Sequence, residues 1–328
     1  MLSTLIFALQ ISHSCNDSIC KDSLEAYLLK QFSQSNIQVL FLSALTSKEA
    51  FSKELRGIHC KKAETLIVSD NAEQIVIAQN FGFFCVGHSN SQTFLPVSYC
   101  FEDFSSVDLK YFSHILCRYQ KEPVSIVTTR HLHIRELTPA DLPALYDIYS
   151  QPGVQDYMNE RYTTYEDFYS KMYAYIEQFY PFYDFGLWGV FLKENNTLIG
   201  ECGLQLMELY DNSQIGIGYL LSPDFQHQGY GKEMVQAVLR YAKREFDFTT
   251  IFAEIDARNY PSISFAEKCG FIFREIQKKA DETYHIYAHT FSKRTPPNAD
   301  KAPKSSKEFY ENYQKSPDTS VYGKRYPR

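Results

Sequence analysis

Four short apolar runs occupy the first third of the chain, LSTLIFAL, IQVLFLS, ETLIVSD and FFCVGH, and between them lie SLEAYLLKQFSQ, KEAFSKELRG and NAEQIVIAQNFG, with apolar residues at helical spacing. Continuous apolar runs of strand length read as strands buried on both faces, which is the habit of parallel sheets, and the intervening helices supply the crossovers. The expectation for residues 1–122 is a small doubly wound parallel α/β domain. The opening MLSTLIFALQIS lacks a basic start and a small-residue cleavage site and is too short to cross a bilayer. It reads as the first strand.

A polar, Pro-containing passage, RYQKEPVSIVTTR, follows as a link, and after it the order of elements changes. A strand HLHIREL leads to TPADLPALYDIYSQ, where Thr138 is placed to cap a helix with Asp141 in its first turn. A tyrosine-dense helical stretch runs from Thr164 to Tyr180. LWGVFLKENNTLIGECGLQLME then reads as a hairpin turning at Glu194 to Asn196, and a third strand lies around IGIGYLLS. The strand TTIFAEID, the short helix PSISFAEKCG and a last hairpin, FIFREIQKKADETYHIYAHTF, complete an α+β unit with a mixed sheet over 127–292. Residues 293–328, rich in Pro, Lys, Ser and Asp, carry no apolar period and are expected to be a disordered tail.

Composition narrows the classes. The 328 residues are 44% hydrophobic and 22% charged with a formal net charge of -6, so there is no overall basic field and nucleic acid is not expected as a partner, nor is a membrane. Eight cysteines stand singly with no CxxC pair or His spacing for zinc. Free thiols in a cytoplasmic protein are the expectation, with no metal.

The stretch DFQHQGYGKEMVQAVLRYA sets Gly229 and Gly231 directly before a helical pattern expected to start at Lys232. Glycine costs about 1 kcal/mol against Ala in a helix interior, so another reason is needed for it there. A strand, a glycine turn and a helix start form an anion site: first-turn amides are unpaired, the dipole favours negative charge, and Gly lets oxygens touch the backbone. The turn matches neither GxxxxGK[ST] nor GxGxxG.

With its context the stretch says more. Q-x-x-G-x-G after a strand, then an amphipathic helix, a strand, Asn259, a short helix and Cys269-Gly270-Phe271, resembles the GNAT superfamily of acetyl-coenzyme A-dependent N-acetyltransferases. TTRHLHIRELTPADLPALYDIY and ARNYPSISFAEKCGF are similar to its RimJ/RimL branch in particular. The resemblance implies a GNAT-type mixed-sheet acyltransferase domain. It implies that amides of His227, Gln228, Gly229, Tyr230, Gly231 and Lys232 cradle the pyrophosphate of coenzyme A. The backbone of Tyr219, Leu220 and Leu221 would pair with the pantetheine arm, and Asn259 and Ser262 would contact the cofactor. Asn259 and Ser262 read equally well as turn and cap residues.

Acetyl transfer to an amine needs a neutral nucleophile, donors on the thioester oxygen and a proton for the leaving thiolate. Glu254 lies five residues before Asn259, where related amino-terminal acetyltransferases carry a catalytic Glu; it shares a strand face with Phe252 and is equally readable as an exposed strand Glu. Two departures from the family stand out: Ala266 holds the place of a Tyr acid, and Gly216 replaces an acidic residue before Gly218-Tyr219. Tyrosines from Tyr157 to Tyr180 flank the implied acceptor cleft, as an amine-holding wall or as packing.

KAETLIVSDNAEQIVIAQNFGFFCVGHS resembles the last part of a haloacid-dehalogenase-like hydrolase, with Asp70 where such enzymes bind magnesium. The first strand has no D-x-D pair, and Gln74 stands where a second Asp is expected, so phosphoryl transfer has no route. The implied whole is an acetyl-CoA-dependent N-acetyltransferase acting on a primary amine, monomer or homodimer, with a degenerate first domain. A noncatalytic acyl-CoA sensor is the alternative.

Overall fold

The computed structural model describes residues 1–9, 21–32, 37–42, 47–89, 94–158, 161–210, 212–246, 248–279 and 282–291. The expected tail, and with it Cys15 and Cys20 near the start, lies outside the described residues. The chain divides into two compact units, Met1–Val124 and Ser125–Arg328.

The first unit runs β1 (Thr4–Ala8), α1 (Lys21–Phe32), β2 (Gln38–Phe41), α2 (Lys48–Gly57), β3 (Thr65–Ser69), α3 (Ala72–Asn80), β4 (Phe84–His88), β5 (Cys100–Phe101) and α4 (Leu109–Tyr119). Its five strands lie in the order β2-β1-β3-β4-β5 with every neighbouring pair parallel. Because side chains alternate across a strand, β1 serves two cores. Leu5 and Phe7 pack with Leu28 and Phe32 of α1 and with Phe112 and Ile115 of α4. Ile6 and Ala8 pack with Phe51 and Leu55 of α2 and with Ile75 and Ala78 of α3. This double burial is why the strand reads as a continuous apolar run, since neither face meets water.

The second unit begins inside the expected link: Ser125–Thr128 is β6, paired antiparallel with β7 (Leu132–Arg135). Four residues at a sheet edge leave too short an alternation to stand out from a polar passage. Thr138 caps a single 3-10 turn, Pro139–Asp141, ahead of α5 (Leu142–Tyr149). The Asp141 carboxylate holds that corner, accepting from the Thr138 N–H at 2.8 Å, its hydroxyl at 2.7 Å and both Arg135 guanidinium arms at 2.8 Å. Burial raises the Asp141 pKa, but these donors outweigh it and hold the carboxyl below its ordinary value.

The tyrosine-dense stretch is α6 (Tyr165–Ala174), a π-turn over Tyr175–Phe179, and α7 (Tyr180–Tyr183). Pro181 explains the interruption: it has no N–H to donate and its ring would meet the carbonyl four residues back, so the wider turn relieves the clash. β8 (Leu187–Leu192) and β9 (Leu198–Leu209) form the hairpin, with Asn196 left-handed at φ 58. There follow β10 (Asn212–Leu221), α8 (Tyr230–Glu245), β11 (Thr250–Asp256), α9 (Tyr260–Lys268), β12 (Ile272–Lys279) and β13 (Glu282–Thr290). The sheet order is β12-β13-β11-β10-β9-β8-β7-β6, antiparallel throughout except at β10 and β11. Trp188, fully buried, packs edge-on against Tyr241 of α8 at 5.4 Å. Glu201 and Tyr149, joined by a hydrogen bond, place α5 on the opposite face.

Candidate active site

β10 and β11 pair at a single register position, Gly216 with Phe252. Beyond it β10 runs on to Leu221 and β11 to Asp256 without a further pair, while β9 still pairs with β10 as far as Leu221. The two strands therefore part, and one side of the β10 backbone over Tyr219, Leu220 and Leu221 is left for a ligand to bond. All three residues are only half-buried.

At the end of that groove the chain turns into α8. His227 is left-handed at φ 60 and Gly229 at φ 91, and two glutamines brace the loop, Gln226 donating to the Leu221 carbonyl at 3.0 Å and Gln228 to that of Asp224 at 2.9 Å. The helix starts at Tyr230, two residues earlier than the sequence pattern suggests, because Gly229 takes the cap position and puts Gly231 and Lys232 in the first turn. A cap residue without a side chain has nothing to offer the first-turn amides, so they stay open to an anion. At Gly231 a Cβ would come within 3.2 Å of the Phe265 ring. The first-turn acid, Glu233, is drawn off to His131, accepting its backbone N–H at 2.9 Å and lying 2.8 Å from its Nδ1.

Asn259 caps α9, its Oδ1 accepting from the Ser262 N–H at 3.1 Å. The Ser262 hydroxyl lies 2.9 Å from the Tyr219 hydroxyl, so the residues implied by family resemblance on β10 and α9 meet in one place. Burial pushes the Tyr219 phenol up to about 12 despite the Ser262 hydrogen bond, so it stays protonated at neutral pH. Ala266 is buried in α9 at 1% exposure, with no acidic hydrogen to give.

Glu254 lies on β11 with Phe252 and Asp256 on the face away from α9, and its carboxylate is ion-paired with Lys279 of β12. Phe252, in contrast, is packed with Met207, Leu209, Tyr284 and Ile286. The aromatic stretch is largely packing, with Phe168, Tyr180 and Phe185 buried, but Tyr169 and Tyr173 stack exposed at 5.8 Å. A second carboxylate went unread in the sequence. Glu201 of β9 is 3% exposed and its Oε1 accepts from the Tyr149 hydroxyl at 2.5 Å. Its signal was a lone acid inside the apolar run LIGECGL. Among the described residues no group of three His, Cys, Asp or Glu side chains is placed to hold a metal ion.

A parted parallel strand pair leading to an uncapped helix N-terminus offers a groove for an extended ligand with an anion site at its end. Comparison with known proteins gives the site a family context. Residues 131–272 match the model of the acetyltransferase (GNAT) domain. The chain is 28% identical over 168 residues to the uncharacterized N-acetyltransferase YnaD of Bacillus subtilis, covering 49% of this chain and 93% of that one. It is 25% identical over 170 residues to the uncharacterized N-acetyltransferase p20 of Bacillus licheniformis, covering 51% and 95% respectively. The match lies within the second unit, which thus carries an acetyltransferase (GNAT) domain over residues 131–272. An acetyltransferase (GNAT family) structure from Bacillus anthracis aligns with 50% of this chain and 97% of its own at 24% identity and a TM-score of 0.44.

Proposed function

We propose that the protein moves acetyl from acetyl-coenzyme A directly to a primary amine, a protein amino terminus or a small-molecule amine, in the cytoplasm. The observation that carries the reading is the uncapped N-terminus of α8 at the end of the β10 groove, because an uncapped first turn favours bound anionic oxygens through its free amides and dipole. In this reading His227 to Lys232 hold the pyrophosphate and the free side of Tyr219 to Leu221 holds the pantetheine arm as an added strand. Asn259 and Ser262 close over the thioester end.

Glu254 is the carboxylate that family resemblance assigns to the amine's proton, and its bond to Lys279 must yield before it can take one. The first unit, in this proposal, is a doubly wound, degenerate haloacid-dehalogenase-like domain without phosphoryl-transfer activity. Its support is chemical: where a second Asp is expected, Gln74 is buried and accepts from the Ser69 hydroxyl at 3.1 Å.

Calorimetry with acetyl-coenzyme A, followed by thiol release over a panel of amines and peptides, tests the reading. Binding with amine-dependent release supports a transferase. Binding without release from any amine favours the second reading, a noncatalytic acyl-CoA sensor, to which the buried Ala266 in the acid's place lends weight. No binding rejects both.

A further inference from the structure

A charged group shut away from water needs partners for all its lone pairs, and Glu201 has them for only half. Its Oε1 takes the Tyr149 hydroxyl; its Oε2 has no hydrogen bond from any described residue. A strand position of this kind is served better by an apolar residue unless the open oxygen is used.

Its placement says for what. In the antiparallel ladder Glu201 stands opposite Leu220, about 5 Å away as such pairs are, and on the same sheet face. Leu220 is the middle residue of the segment whose outer edge is free beyond Gly216. The helix α8 packs on the other face, so a ligand in the groove presents one side to α8 and α9 and the other to the Glu201 face. The walls on that side are aromatic: Tyr149 meets Tyr162 edge-on at 5.6 Å and Phe168 at 5.3 Å. Rings around a carboxylate with one unpaired oxygen are a chemistry that favours a small cation, an ammonium above all, once the groove gives it access to that oxygen.

We propose that Glu201, through Oε2, is the proton acceptor for the substrate amine, receiving it directly or through one water. This rests on the acetyltransferase reading of the groove. An arriving ammonium gives one proton to Oε2 and becomes the neutral nucleophile. Its nitrogen lone pair then forms the C–N bond at the thioester carbonyl; the C–S bond breaks and its electrons leave on sulfur. The second amine proton neutralises that thiolate, and the proton on Glu201 returns to solvent, so ammonium and acetyl thioester become amide, thiol and one proton. Glu254 is less suited to the task because Lys279 already neutralises it.

The protonation balance agrees with the placement. Burial pushes the Glu201 carboxyl up to about 7, with the Tyr149 hydrogen bond opposing, so the group exchanges protons near neutral pH. The other titratable groups around it are Tyr180 of α7 and Cys202 beside it on β9, with Tyr162, Tyr175 and Glu136 acting on Tyr149 and Tyr180. Burial holds Tyr149, Tyr180 and Cys202 well above their ordinary values, so they stay neutral while Glu201 titrates.

The test compares the full chain with Glu201→Gln and Tyr149→Phe, using acetyl-coenzyme A with two acceptor probes, a hexapeptide with a free α-amino group and 1,4-diaminobutane. The expected result is acetyl-coenzyme A affinity within threefold of wild type in both variants, thiol release at least 100-fold slower in Glu201→Gln, and loss of the acidic limb of its rate profile near pH 7. Tyr149→Phe removes the bond that favours the carboxylate, so its limb moves to higher pH, a shift that mere loosening of the fold does not produce. Undiminished release by Glu201→Gln, or an unmoved limb in Tyr149→Phe, overturns the proposal alone. Absence of release by wild type from both probes overturns the transferase reading and the proposal with it.

Discussion

Each unit contains a strand that leads into a helix, directly after Asp70 and Asn71 in the first and by way of a 3-10 turn in the second, and the two helix starts differ. After β3, α3 starts with Asn71 as its cap, and the Asn71 side chain accepts from the Glu73 and Gln74 amides at 2.9 and 3.0 Å. After β10, α8 starts with Gly229, and its first-turn amides meet no capping side chain. A helix N-terminus is thus closed in one unit by the protein's own amide oxygen and left open in the other. Stability and binding draw on one set of groups: a capped helix has used the donors that an anion would need. Around α3 the closure is complete, since Ser69 both donates to Gln74 and accepts from the Asn71 N–H at 3.2 Å.

The sharpest way to break the contrast is to convert one end into the other. Gly229→Asp supplies a short side chain of a type that tolerates a left-handed backbone, and a Cβ there meets nothing within 4 Å. Its carboxylate competes for the free amides and repels a pyrophosphate. The expected loss in acetyl-coenzyme A affinity is about 1,000-fold, or about 4 kcal/mol, with the unfolding midpoint little changed. Calorimetry decides: an affinity within threefold of wild type removes the loop from the binding site.

The next effect concerns Glu201, a buried acid whose Oε2 has no hydrogen bond from any described residue. Glu201 has its folded pKa raised to about 7 from an ordinary value of 4.5. The folded state therefore binds the extra proton between those values, and stability falls as pH rises through that window and levels off above it. The full span is on the order of 3 kcal/mol. Glu201→Gln flattens this slope and is more stable than wild type at pH 8. Denaturant melts at pH 5 and pH 8 measure it; equal slopes in the two proteins mean that Glu201 is ionised inside the fold throughout.

These two features also mark what the sequence could and could not tell. The strands β1, β3 and β4 were legible because burial on both faces leaves an unbroken apolar run, and α8 because its buried stripe, Met234, Val235, Val238 and Tyr241, recurs at helical spacing. The glycine turn was legible from residue type alone. Its register was not: two residues separate the expected start of α8 from Tyr230, because nothing in the letters says whether a glycine caps a helix or precedes it. Glu201 escaped because periodicity assigns a strand from its apolar neighbours and passes over the exception. That exception was the informative residue. β6 and the π-turn escaped for opposite reasons, the one too short to show a period and the other a break in a period that otherwise continues through Tyr180.

The reverse conversion predicts a smaller effect. Asn71→Ala uncaps α3 and is expected to cost about 1 kcal/mol in the stability of the first unit. Acetyl-coenzyme A affinity should not move, because uncapping a helix of the first unit changes nothing at the N-terminus of α8. Hydrogen exchange of the Glu73 and Gln74 amides reads the local opening, and a change in acetyl-coenzyme A affinity contradicts the assignment of binding to α8.

The smallest effect separates the two carboxylates. The Lys279 side chain is 42% exposed and its Glu254 partner 14%, so solvent screens much of their attraction and Lys279→Ala should cost under about 1 kcal/mol. The kinetic outcome matters more. With Glu201 as proton acceptor, freeing Glu254 leaves the acidic limb of the rate profile in place and kcat within a few-fold of wild type. With Glu254 as acceptor, removing the cation that occupies its carboxylate raises the rate well beyond a few-fold. A rate that rises in Lys279→Ala together with a limb that stays in Tyr149→Phe returns the proton to β11; an unchanged rate with a limb that moves leaves it on β9, beside β10.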